Sequence, residues 1–293
     1  MWLESEHNTA DYGTASSGGY GGRPPVHKND LTAKKSYFMF DDEVVCLGAD
    51  INAKDNNNAE VITVVESRWG KTTKTNGSTI IGADTVTIDG AVVNITNTEY
   101  NLGNARWAQL DGAAGYYFPQ YTGQNSGALK TRWTEGTNSF FEMWYSHGVN
   151  PSNRTYAYVL LPGKTAEQTR QYADNPCLTI LSNSADIQAV RDDKLGITGI
   201  VFWNAGTFRD ITVSQPMLVM LKENSGSGEA AGAYTIAVSD PTHKLLAGTV
   251  TINRNLAAVS FDDMMKVSGG SGQTLIELNF TKSDGRSMQA EFK

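Results

Sequence analysis

The sequence predicts an all-β protein, and three observations carry that prediction. Short apolar or β-branched runs recur at close, regular spacing along most of the 293 residues, the pattern of antiparallel strands stacked in sandwiches. Turn chemistry separates the runs: there are 29 glycines and signals such as Asp89-Gly90, a pair suited to a two-residue hairpin bend. Only residues 164–174 read convincingly as helix.

Residues 1–30 are polar and Gly-rich, passing through Ser16-Ser17-Gly18-Gly19-Tyr20-Gly21-Gly22 to Pro24-Pro25. They read as an irregular entry segment, the interior of something cut upstream. Ser36-Tyr37-Phe38-Met39-Phe40 and Glu43-Val44-Val45-Cys46-Leu47 then form a predicted hairpin bent at Asp41-Asp42. Glu60–Glu66 is β-branched and apolar, so it reads as a buried strand. Runs at 79–81, 85–88, 92–95, 114–118, 140–145 and 156–161 continue the pattern. In the helix, Thr165 is placed to cap and Gln168 to answer it three residues on. The helix stops before Asn175-Pro176. A lone helix between strand runs marks a domain junction, giving domains at 1–175 and 176–293. Strands at 178–181, 187–190, 199–203, 217–221, 234–238 and 275–279 belong to the second. Gly226-Ser227-Gly228 and Gly269-Gly270-Ser271-Gly272 read as turns or tips.

Composition excludes several function classes. Lys+Arg total 24 against Asp+Glu 31, a formal charge of −7, so phosphate backbones gain nothing here and nucleic acid is excluded as a partner. An anionic polymer would need a local basic or aromatic groove. No apolar stretch reaches membrane-spanning length, and Met1-Trp2-Leu3-Glu4-Ser5-Glu6-His7 lacks the basic and apolar regions of a signal peptide. Cys46 and Cys177 match no zinc or redox spacing, and the spacing does not decide whether they pair. Sequons at Asn76, Asn94, Asn153 and Asn279 leave the compartment open. No cofactor motif is present.

Several ordered blocks resemble polysaccharide lyase family 8, the hyaluronate, chondroitin AC and xanthan lyases. Lys35-Ser36-Tyr37-Phe38-Met39-Phe40-Asp41-Asp42-Glu43, with Gly48 after it, is similar to the KSWF…FDDE…LG segment. Thr63, Glu66 and Arg68 fit a T-x-x-E-x-R strand. Asp111-Gly112 with Gly115-Tyr116-Tyr117-Phe118-Pro119 resembles the next block. His147-Gly148, Pro151 and Tyr156-Ala157-Tyr158 resemble the HG-x-x-P…YAY block. Leu181-Ser182-Asn183, Gln188-Ala189-Val190 and Ser239-Asp240-Pro241-Thr242 are similar to the small C-terminal domain. The resemblance implies a mutarotase-like β-supersandwich to about residue 175 and then a smaller C-terminal β-sandwich. It also implies a secreted enzyme whose catalytic Asn, His, Tyr and Arg lie on an α/α-toroid, and that toroid is expected to be absent here. No catalytic residue is carried over.

What remains for a site is weaker. Arg68-Trp69, Arg106-Trp107 and Arg132-Trp133 each set a guanidinium beside an aromatic, a pair that could grip an acidic sugar. Core packing is the plainer reading of the aromatics, including Tyr116 and Tyr117. His147 near Tyr145 and Arg154 could move protons, or could be a structural histidine at a strand end. Asp41-Asp42-Glu43 could hold a cation, but neighbours on a strand diverge, so a bend is expected and no metal. The expected role is an inert β portion scaffolding a cleft for hyaluronan, chondroitin or xanthan-type polymer and docking the toroid. The alternatives are a stand-alone carbohydrate-binding module and an interaction domain.

Overall fold

The computed structural model describes residues 3–4, 31–54, 59–69, 72–75, 78–81, 86–93, 100–119, 128–134, 140–223 and 233–293. Among these it forms twenty-six strands and one helix. They gather into two compact units, Leu3–Lys35 with Asp41–Asp174, and Asn175–Lys293 with Ser36–Phe40.

The chain first lays down β1 (Leu3–Glu4), β2 (Thr32–Met39), β3 (Val44–Asn52), β4 (Glu60–Trp69), β5 (Thr72–Thr75), β6 (Ser78–Ile81) and β7 (Val86–Ile88). It continues with β8 (Ala91–Val93), β9 (Tyr100–Asn101), β10 (Trp107–Leu110), β11 (Ala114–Tyr117), β12 (Ala128–Thr134), β13 (Phe140–Val149) and β14 (Arg154–Pro162). Eight strands form one sheet, in the order β1-β2-β3-β14-β11-β10-β7-β8, and four form another, β4-β13-β12-β9; β5 and β6 make a separate ribbon. Consecutive residues Val45 to Ala49 are all buried in β3. Since strand neighbours point to opposite faces, that run is covered on both sides. The two sheets meet through rings: Tyr145 of β13 stacks on Tyr156 of β14, centroids 5.8 Å apart, and its hydroxyl donates to the Ala157 carbonyl at 2.7 Å. Gly48 sits under the Tyr156 ring because a Cβ there would lie 2.0 Å from Cε1.

The bends follow local chemistry. Asp89 and Gly90 take φ of +47° and +89°, the geometry of a two-residue hairpin, and Ile88 pairs with Ala91 across it. The Asp41-Asp42 bend is exposed while Glu43 is buried, so the three carboxylates diverge. The helix α1 (Ala166–Asp174) opens with a reciprocal capping box: Gln168 N donates to Thr165 Oγ1 at 3.3 Å and Thr165 N to Gln168 Oε1 at 2.9 Å. That satisfies two amides the helix itself leaves open. Cys46 is buried, and Cys177 is half-buried with its Sγ 3.9 Å from Asp192 Oδ2; burial pushes the Cys46 thiol up to about 11, against a smaller opposing hydrogen bond with Tyr158.

The second unit adds β15 (Leu178–Asn183), β16 (Ile187–Asp192), β17 (Ile197–Phe202), β18 (Gly206–Phe208), β19 (Ile211–Val213) and β20 (Met217–Glu223). β21 (Tyr234–Ser239), β22 (Ala247–Ile252), β23 (Ala258–Phe261), β24 (Met265–Gly270), β25 (Gln273–Asn279) and β26 (Met288–Phe292) complete it. A seven-stranded sheet, β15-β16-β17-β20-β21-β26-β23, packs with a five-stranded one, β18-β19-β22-β25-β24. Phe202, Met217, Ile236, Val250, Ile276 and Phe292 lie in the core. In this unit the sequence reading passed over β18, β19, β22, β23, β24 and β26. It also treated 269–272 as one turn, whereas Gly269 and Gly270 finish β24 and the bend is Ser271-Gly272, with φ of +54° and +82°. Gly226-Ser227-Gly228 lies outside the described residues.

Candidate functional site

Two irregularities in one strand pair build the cluster of motif residues. β4 and β13 pair antiparallel, but the register slips between Met143 and Trp144 and again between Ser146 and Gly148. The first slip leaves Val65 without a partner: Glu66 faces Met143 and Val64 faces Trp144. One extra residue reverses the alternation. Thr63, opposite Tyr145, and Glu66, opposite Met143, therefore share a face although they are three apart. Arg68, opposite Phe141, shares it too. Tyr145, Met143 and Phe141 are all buried on that face, whereas Ile62 and Val64, pointing the other way, are about half exposed, at 43% and 50%.

The second slip leaves His147 as the extra residue, next to Gly148 at φ +79°. Its ring is 2% exposed, and Nε2 lies 2.8 Å from Thr63 Oγ1. Nδ1 is buried with no hydrogen-bond partner. A buried orphan N–H is rarer than a buried lone pair, so the fitting tautomer carries its proton on Nε2 and donates to Thr63. Burial, then Lys35 and Arg154, push this imidazole down to about 4. The Tyr156 ring lies 6.2 Å away.

Further along the face, Glu66 accepts from the Tyr116 hydroxyl of β11 and from Arg68 Nη2 at 2.7 Å. Its second oxygen accepts from Ser67 N at 3.0 Å. The Glu66 side chain is 11% exposed and Arg68 41%. Tyr116 is 1% exposed; burial first, and then the Glu66 carboxylate, raise its phenol well above the usual range. The arrangement ties the two sheets through one carboxylate and presents a paired guanidinium at the rim.

The sequence-derived site residues fall in two places. Arg68 and Trp69 end β4, and the backbones of Arg68, Phe141 and Trp133 share one register row, with Arg132 opposite Glu142. The side chains of Trp69, Arg132 and Trp133 lie outside the described residues. Arg106 and Trp107 belong to the other sheet. Their backbone amides donate to the Asp89 carboxylate at 3.1 and 3.0 Å. Trp107 is buried, at 4% exposure. Arg106 is exposed and donates to the Ala173 carbonyl at 2.5 Å and to Asp174 at 3.3 Å. A cation there satisfies a free carbonyl at the end of α1 and complements its dipole. The Glu66–Tyr116 bond was missed by sequence reasoning, although both residues stood in quoted family blocks.

Residues 2–173 match the model of the polysaccharide lyase family 8 super-sandwich domain. The chain belongs to that family. In this family 8 chain, residues 179–249 match the family's C-terminal β-sandwich domain. The hyaluronate lyase of Thermasporomyces composti is 30% identical over 279 residues, covering 90% of the chain and 34% of that protein. The xanthan lyase of Bacillus sp. strain GL1 is 32% identical over 288 residues, covering 90% of the chain and 29% of that protein. A solved Paenibacillus xanthan lyase superposes with a TM-score of 0.76 at 30% identity, covering 91% of the chain and 27% of that structure. The family 8 chain thus spans about a third of the length of the curated relatives it matches.

Proposed function

We propose that this chain is the non-catalytic β portion of a lyase that cleaves uronate-containing polysaccharide by β-elimination. The observation that carries the reading is the match to both family β domains in a chain about a third as long as its relatives. In the reaction, a proton beside the uronate carboxyl is removed, the bond from the neighbouring carbon to the glycosidic oxygen breaks, a double bond forms, and the leaving oxygen is protonated. The residues gathered on β4 and β13 do not offer that chemistry. His147 is sealed against Thr63 with two cations near it, and Glu66 is occupied by Tyr116, Arg68 and Ser67 N. They hold two sheets in register, which is scaffolding.

The contribution to substrate lies at the rim. Arg68 keeps a half-exposed guanidinium paired with Glu66; Trp133, on the next strand but one, shares its register row, and Trp69 and Arg132 stand one residue out of that row. This edge of the four-stranded sheet forms one wall for an anionic polymer of the hyaluronan, chondroitin or xanthan type, with Arg106 and Trp107 outside it on the other sheet. The remaining wall and the acid and base come from a helical domain. A polymer of that size is met outside the cell, so the enzyme is secreted. Among the described residues no helix is long and apolar enough to cross a membrane.

The test is ultraviolet absorbance of the unsaturated uronate during incubation of the folded chain with hyaluronan, chondroitin sulfate and xanthan. No rise is expected from the chain alone. A steady rise that survives His147→Gln but not Arg68→Ala would place catalysis at the β wall and overturn the scaffolding reading.

A further inference from the structure

The outer face of the five-stranded sheet carries a groove of about 570 Å³, within the roughly 300–1,000 Å³ of small-molecule sites. Its shape follows from register. Thr249 of β22, Glu277 of β25 and Lys266 of β24 are opposite one another in a single row, so their side chains share a face. Ala247 and Asn279 form the next row on that face, where the Asn279 backbone N–H donates to the Met264 carbonyl at 2.9 Å. The intervening residues Val250, Ile276, Leu278 and Met265 point the other way, into the core, so this face meets solvent. β22 supplies the short residues Ala247-Gly248-Thr249 as a floor. Asp263, Met264 and Lys266 stand along one side of it.

The lining mixes apolar and polar surface without being cationic. Lys266 Nζ lies 3.2 Å from a Glu277 oxygen. The Asn279 side-chain oxygen accepts from Thr281 N and Oγ1 at 3.0 and 2.7 Å, so what this side chain offers a ligand is its N–H₂ donor. Asp263 is answered by Arg286, which also pairs with Asp262; Asp262, Asp263 and Glu277 against Lys266 and Arg286 leave the groove and its margin one charge negative, on a chain whose formal charge is −7. A polyanion is repelled there. A hydroxyl-rich neutral ligand is not, and an ion pair offers it both a donor and an acceptor for neighbouring hydroxyls. Ala247 and Met264 give the C–H face of a sugar ring something apolar to lie on.

We propose that this groove binds neutral sugar residues of a carbohydrate chain. Lys266, Glu277 and Asn279 hydrogen-bond the hydroxyls, and Ala247 with Met264 supports the ring. The site is independent of the β-elimination reading and of the Arg68 wall: it recognises a different class of sugar on the other unit.

The experiment is native electrophoresis of the full chain through gels containing a β-glucan, a galactomannan, soluble starch or hyaluronan. Retardation by at least one neutral polymer and none by hyaluronan is expected. The Lys266→Ala/Glu277→Ala double variant should weaken that retardation at least about tenfold, or about 1.4 kcal/mol. These side chains are 79% and 48% exposed, so the double variant keeps its fold. Ala247→Trp, which fills the groove, should abolish retardation, with near-ultraviolet circular dichroism confirming folding; if it unfolds, the double variant decides. Migration unaffected by all three neutral polymers, retardation equal in wild type and double variant, or retardation by hyaluronan alone overturns the proposal. The ultraviolet elimination assay is unaffected by either variant, so failure here and failure of the lyase reading are distinguishable.

Discussion

Acidification should destabilise the first unit through His147. The imidazole is 2% exposed and held neutral in the fold, its value pushed from 6.5 to about 4 by burial and by Lys35 and Arg154. Around it stand Thr63, on Nε2, and the Tyr156 ring. Above pH 6.5 both folded and unfolded chains carry a neutral histidine, and the full stability is present. As pH falls below 6.5 the unfolded chain takes up a proton that the folded chain refuses. Stability then declines by up to about 1.4 kcal/mol per pH unit, until the folded imidazole also titrates near 4. Over that window the loss from this one group is about 3 kcal/mol. The assay is urea unfolding between pH 7.5 and pH 4, wild type against His147→Gln. Glutamine cannot titrate, and its amide can still donate to Thr63. The variant should start less stable at pH 7.5, because it repacks a buried site, but lose about 3 kcal/mol less on acidification. Parallel curves for the two proteins would refute the reasoning, because the acid sensitivity would then belong to other groups.

Two further outcomes test the packing. Gly48→Ala puts a Cβ 2.0 Å from the Tyr156 ring, which stacks against both Tyr145 and Tyr158 at 5.8 and 6.0 Å and has nowhere to move. Overpacking of that severity should cost about 3 kcal/mol or more in urea unfolding; a loss under about 1 kcal/mol would mean that the ring can shift. Thr165→Ala removes one half of the capping box and should cost about 1 kcal/mol, with Thr165→Ser restoring most of it; equal stabilities of the alanine and serine variants would show that the cap contributes nothing.

Much of the fold was legible because its signals are local. The capping box at Thr165 and Gln168, the stop before Asn175-Pro176 and the Asp89-Gly90 hairpin each depend on residues a few positions apart. The family blocks were read from the sequence in the same way, and their content names the residues that cluster on β4 and β13. Among the strands of the second unit that were passed over, β22, β23 and β24 are rich in Ala, Gly and Ser. Their own propensity is weak, and they are strands because β25 and β26 pair with them.

The amino-acid sequence by itself thus determined the β class, the helix at Ala166–Asp174 and its capping box, the tight turns and the identity of the motif residues. Where those residues point was decided only by tertiary structure. Regular alternation sets Thr63 and Glu66 on opposite faces. The unpaired Val65 sets them on one face, and it is unpaired because β13, some eighty residues away, fixes the register. The same slip brings Glu66 to Tyr116 on another sheet, and the one after it turns His147 inward onto Thr63. A bulge is a property of two strands at once, and nothing in the composition of either strand alone encodes it.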